Sequence, residues 1–119
     1  MNGQHRDWLL EAEETPHRDS MMARRFRGYL PVVLDVETGG FDARNDALLE
    51  AAITLLDMNE AGELVCARTI SHAVHPFEGA NIEQASLDFT GIDPYDPARG
   101  ALDEGAVLRL LFAEIRLAM

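Results

Sequence analysis

The sequence predicts an α/β fold, three N-terminal strands of a mixed sheet followed by helices, and predicts that fold to be incomplete in this chain. Three observations carry the prediction. The aliphatic run "LPVVLDV" at 30–36 lacks polar alternation and reads as a strand apolar on both faces. Two further apolar segments, 47–57 and 64–74, lie either side of the turn-forming "MNEAGE" and read as a hairpin. Two later segments follow a polar capping residue, Asn81 or Asp103, and run with helical spacing.

Each element has its own reason. Residues 1–19 are polar and read as a flexible N-terminal extension, leaving 20–119 as the N-terminal part of a domain. A short helix over 20–27 ends at Gly28, a residue suited to a helix terminus. After a loop holding Asp42, Asn45 and Asp46, "ALLEAAITLLD" is long enough for a helix. The turn signal behind it makes it the first arm of the hairpin instead. "HPFEGAN" is loop. The helix over 82–89 stops at Gly91, and "IDPYDPARG", with two prolines, is irregular. In the final helix Ala106, Val107, Leu110, Leu111 and Ile115 follow the helical period and are expected to face a core. A strand apolar on both faces needs a neighbour at each edge. The hairpin supplies one; no other segment supplies the second, and an open apolar edge invites unwanted pairing. The expectation is that the fold continues in a further piece, or that another chain completes it. "EIRLAM" stops inside an unfinished helical pattern, which points to a truncated chain.

Composition narrows the function classes. At 47% hydrophobic and 26% charged, the 119 residues have the make-up of one ordinary soluble domain. No apolar run reaches the length of a membrane span, and there is no signal-peptide core. The single cysteine, Cys66, excludes a disulfide framework or a cysteine zinc site within the chain; a reducing, cytoplasmic setting is expected, with Cys66 a small core residue. His72 and His75 are three apart, on opposite faces of a strand, and read as surface or structural. The net charge of -11 disfavours non-specific binding to phosphates. Its distribution softens that objection: residues 1–27 hold five arginines and five acids, whereas 28–119 hold five arginines and sixteen acids. There is no lysine, and three of the arginines fall in "ARRFRG".

The chemistry-bearing stretch is "VVLDVETGGF". Asp35 and Glu37, two apart on a strand, project from one face ~7 Å apart. Such a pair repels itself, and any burial makes ionisation costly. A divalent cation removes both objections, since Mg²⁺ prefers oxygen ligands and is commonly held by one or two carboxylates together with water and phosphates. The pair can therefore seed a two-metal site. The glycines behind it allow a backbone to approach a ligand, and Phe41 in that loop offers either a platform for a base or a plug for the core.

"VVLDVETGGF" resembles the first motif of the DEDD superfamily of 3'→5' exonucleases. "RFRGYLPVVLDVETGGFDARNDALLEAAITL" and "HPFEGANIEQASLDFTGIDP" resemble, within it, the ribonuclease T family, over roughly residues 22 to 116. The resemblance implies an RNase H-like exonuclease fold and two-metal phosphodiester hydrolysis that trims the 3' ends of tRNA and other stable RNAs. It implies that Asp35 and Glu37 are catalytic, two of four metal-binding acids for a pair of Mg²⁺ ions, with Mn²⁺ as an alternative. It implies that Glu37 and the backbone around Thr38 lie beside the terminal ribose, and that Phe41 and Phe89 stack on the terminal bases. Arg25 and Arg27 resemble part of a basic patch that grips RNA upstream; in that family one subunit's patch serves the other subunit's site, so a homodimer is implied for the complete protein. A local patch of this kind reconciles RNA binding with the acidic total.

Two departures qualify the resemblance. A relative's acid four residues before the second phenylalanine is Ala85 here, with Glu83 close by, so base preference is expected to differ. The family's later motifs, His-Asn-x-x-Phe-Asp and His-x-x-x-x-Asp, are absent, and with them the other two metal-binding aspartates and the catalytic histidine. The chain is therefore expected to be inactive by itself. The rival readings are a DNA-proofreading exonuclease of the same superfamily, and a non-catalytic RNA-binding or dimerisation fragment.

Overall fold

The computed structural model describes residues 20–119; the expected extension over 1–19 lies outside the described residues. A short helix α1 (Met21–Arg25) leads into three strands, β1 (Val32–Thr38), β2 (Leu48–Met58) and β3 (Leu64–Ala73). Helix α2 (Gln84–Thr90), a 3₁₀ turn (Pro97–Arg99) and helix α3 (Glu104–Ala118) follow. The three strands form one antiparallel sheet in the order β1-β2-β3.

The hairpin turn is built as its residues dictate. The Asn59 side chain accepts from the Glu63 amide and donates to the Glu63 carboxylate, while Gly62 takes a positive φ of 80°. This turn decides the helix-or-strand ambiguity of 47–57 in favour of a strand. Burial then alternates along β2 with period two: Leu49, Ala51, Ile53 and Leu55 are buried, and the residues between them are less so. Helix α3 packs on the buried face, with Val107 and Leu111 entering a core with Ala51, Ile53, Leu55 and Val74. Met22 and Ala23 of α1 are also buried.

The Asp103 cap and the Gly91 stop fall where the sequence puts them, and Ser20 adds a cap that is not among the expectations above. Ser20 accepts from the Ala23 amide, Asp103 accepts from the Ala106 amide, and Gly91 closes α2 with φ 72°. Asn81 does not cap α2. That helix starts after Glu83, two residues beyond Asn81, and no side chain caps it.

Three further expectations are corrected. The apolar strand is not buried on both faces: Val33, Leu34 and Val36 are 51%, 65% and 43% exposed. Among the described residues β1 lies at a sheet edge and β2 at the centre, so β1's covered face reaches past the helices, which pack mainly on β2. The expectation of an open edge beside that strand holds in the order of the sheet. Cys66 is exposed rather than in the core, because β3 is the other outer strand and is exposed along most of its length. Leu110 is 43% exposed, since α3 turns the stripe of Val107, Leu111, Ile115 and Ala118 inward. No helix among the described residues is long and apolar enough to cross a membrane.

Candidate functional site

β1 extends through Thr38, so Asp35 and Glu37 belong to the strand itself rather than to the loop behind it. Antiparallel register sets Asp35 opposite Ala52 and Glu37 opposite Glu50. Since facing partners share a sheet face, Asp35, Glu37 and Glu50 lie on the face away from the core helices. Asp35 is exposed there and Glu37 is half-buried, a weaker burial than the sequence suggests for the aspartate. Glu50 is held from β3, where the Ser71 hydroxyl donates to Oε1 at 3.3 Å. Among the described residues no three metal-ligating side chains are gathered closely enough to hold an ion. The site's own supply is two or three carboxylates on one face.

Beyond Glu37 the register slips, placing an irregularity between Glu37 and Thr38. The Thr38 hydroxyl donates to the Gly40 carbonyl at 2.8 Å, folding the chain back on itself. Two glycines are required by what approaches them. A Cβ on Gly39 would sit 3.1 Å from the Asn81 carbonyl oxygen and from Ile82 Cα. A Cβ on Gly40 would collide with Asp46 Oδ2. The loop is pinned to the 81–83 segment by backbone bonds: Ala47 donates to the Asn81 carbonyl at 3.0 Å, and Glu83 donates to the Gly39 carbonyl at 2.7 Å. Asp42 is held inside the loop. Its carboxylate is kept below the ordinary range first by the donating Asn45 side chain, then by the Arg44 amide.

These bonds bring two distant stretches together. An open cleft of about 320 Å³ is lined on one side by Glu37, Thr38 and Phe41, and on the other by Ala85, Ser86 and Phe89 of α2. Both phenylalanine rings are bare, with Phe89 89% exposed and Phe41 fully so. Phe41 is therefore not a core plug. An exposed aromatic pair beside a cleft is a costly use of apolar surface unless a flat ligand covers it. Asp35 does not line the cleft; it stands two residues back on the same strand. Ala85 does line it, whereas Glu83 points its carboxylate at Asn81.

Arg25 and Arg27 are not brought to this cleft. Arg25 ends α1 and Arg27 follows with a left-handed φ of 61°, both exposed and both before the start of β1. Glu37 is five residues past the first residue of β1, ~17 Å along the strand. His72 and His75 also lie off the cleft; His75 instead meets Tyr95 edge-on at 5.9 Å. Sequence reasoning missed Glu50, Asp46 and Asn81. The alternation of β2 marks which of its residues share a face, but only the register of the hairpin against β1 sets Glu50 opposite Glu37.

No protein-family model matches the chain. Its sequence is similar to curated ribonuclease T proteins. It is 55% identical to that of Shewanella frigidimarina over 94 residues, covering 79% of this chain and 42% of the relative. It is 54% identical to that of Hahella chejuensis over 108 residues, 91% of this chain and 49% of the relative. It is 53% identical to that of Marinobacter nauticus over 111 residues, again 49% of the relative. The chain thus spans less than half the length of these relatives. The similarity implies an RNase H-like fold, of which the described residues contain three antiparallel strands and their helices.

Proposed function

We propose that the chain forms part of a cytoplasmic 3'→5' exoribonuclease of the ribonuclease T type and carries half of its metal site. The observation that best supports this is the cleft in which Glu37 and Thr38 meet the exposed rings of Phe41 and Phe89. The similarity to proteins named ribonuclease T supports the choice of RNA.

In this reading the two rings hold the 3'-terminal bases by stacking, which tolerates any base because every base has a π-face. The backbone at Thr38 positions the terminal ribose. Asp35 and Glu37 are hard oxygen donors on one sheet face, a set that suits Mg²⁺ or Mn²⁺ and leaves positions for water and phosphate. When bound, the ions would supply charge neutralisation and activation of water at the phosphate. Water adds to phosphorus at the last phosphodiester, the bond to the preceding 3' oxygen breaks, and that oxygen takes a proton from solvent to become the new 3'-hydroxyl. A nucleoside 5'-monophosphate leaves. The proton of the attacking water goes to a histidine that this chain does not contain at the cleft; the remaining acids are likewise supplied from outside these residues. The substrates are the 3' ends of tRNA and other stable RNAs. Arg25 and Arg27, which do not line this chain's own cleft, contact RNA bound at the partner's site in a homodimer of the complete protein.

The purified chain tests this with Mg²⁺ and a short RNA bearing a 3' overhang. We expect no trimming by the chain alone, and heat of Mg²⁺ or Mn²⁺ binding in the millimolar range that disappears in Asp35→Ala. Trimming that survives Asp35→Ala, or metal binding indifferent to it, overturns the assignment. A DNA probe bound more tightly than RNA of the same sequence would redirect the reading to a DNA exonuclease.

A further inference from the structure

We infer that Asn81 is a positioning residue that presets the separation of the two sides of the cleft, acting through Asp46 rather than through any contact with a ligand. The inference rests on the nucleotide-site reading above and deepens it. The Asn81 side-chain amide donates to Asp46 Oδ1 at 2.7 Å and to Glu83 Oε1 at 2.8 Å. The other Asp46 oxygen, Oδ2, accepts from the Asp42 amide at 2.8 Å and presses on the face of Gly40 that lacks a Cβ. One carboxylate therefore reaches the residues on either side of Phe41. One amide reaches both that carboxylate and the residue from which α2, carrying Phe89, begins.

The backbone repeats the connection. Residues 46 and 81 form an isolated parallel bridge, and the Asn81 amide donates to the Asn45 carbonyl at 2.7 Å. The Asn81 side chain lies between two acids. Both of its donor hydrogens face carboxylates, Asp46 and Glu83, which would otherwise repel one another across the joint. Asparagine meets this demand and aspartate does not: it would bring a third negative charge to the same spot.

Two measurements on the full chain test this. In amide hydrogen exchange, Asn81→Ala is expected to raise exchange at Gly39, Asp42 and Glu83 at least tenfold, with Val74 and Leu111 unchanged. Asn81→Asp should do so at least as strongly, and Asp46→Ala combined with Asn81→Ala should add little to either alone. In binding, a short single-stranded RNA ending in 2-aminopurine is titrated by fluorescence, and Asn81→Ala is expected to weaken it about tenfold. Unchanged exchange at those three amides, or a rise shared equally by Val74 and Leu111, overturns the brace. Probe binding that Asn81→Ala leaves intact, despite local loosening, also overturns it while sparing the site. Failure of the unsubstituted chain to bind the probe, with the local exchange changes present, overturns the nucleotide reading and with it the purpose assigned to the brace.

Discussion

Glu37 stands directly opposite Glu50 across the β1–β2 ladder, two like charges in one cross-strand pair on the face away from the core. Facing like charges destabilise a sheet by a few tenths to about 1 kcal/mol. Glu50 has the Ser71 hydroxyl for support, and nothing cationic is bonded to either acid among the hydrogen bonds and ion pairs described. Glu50→Gln is therefore expected to stabilise the metal-free chain by about 0.2–1 kcal/mol in urea unfolding. Millimolar Mg²⁺ should narrow the gap, because an ion held by Glu37 relieves the same repulsion. A destabilised Glu50→Gln chain would mean that the pair is not repulsive.

The stacking role of the two rings separates binding from folding. Phe41 and Phe89 are exposed, so Phe41→Ala and Phe89→Ala should each leave stability within about 0.5 kcal/mol of the parent. Each should weaken single-stranded RNA binding by about 1–3 kcal/mol, the usual cost of losing one base–aromatic stack. Parallel denaturation and fluorescence titration check both halves. Equal losses of stability and binding would instead assign the rings to the fold.

How far the sequence reads ahead of the structure depends on which interactions are local. The Asn59–Gly62 turn, the Asp103 cap and the Gly91 stop are each set by a few neighbouring residues, and they appear where the sequence puts them. Asp35 and Glu37 share a face because strands alternate, so that too is legible. The position of Phe89 across the cleft from Phe41 depends on the bonds joining the 39–47 loop to 81–83, and no local pattern announces those. The same holds for Asn81: α2 starts two residues past it, and its side chain joins two carboxylates instead. The exposure of β1 is a different kind of miss: an aliphatic run reports how much burial a strand wants, not which surface covers it.

Asp42 makes the site loop sensitive to acid in a defined direction. Its folded carboxylate titrates below the ordinary aspartate range because the Asn45 side chain and then the Arg44 amide donate to the ionised form. A depressed folded value means that the loop's support is fully present above the unfolded value, about 3.9. It is lost as pH falls from there through the folded value. Amide chemical shifts of Arg44 and Asn45 followed from neutral to acid pH should move together in that window, and Asp42→Asn should abolish the movement. A transition above the ordinary aspartate range would contradict the assignment.

The open edge of β1 carries the last prediction. Val33 and Leu34 are 51% and 65% exposed on a strand that has β2 on one side and no strand on the other among the described residues. An apolar strand with unpaired backbone groups is a template for another strand, and a charged side chain is the usual means of blocking it. Leu34→Lys removes little burial, so its cost to folding should stay within about 0.5 kcal/mol. It should nevertheless lower concentration-dependent association, measured by light scattering across a dilution series. If the parent chain associates and Leu34→Lys associates equally, the contact lies elsewhere. The exposed apolar side chains of α3, Phe112 at 56% and Leu117 at 78%, then become the next surface to charge.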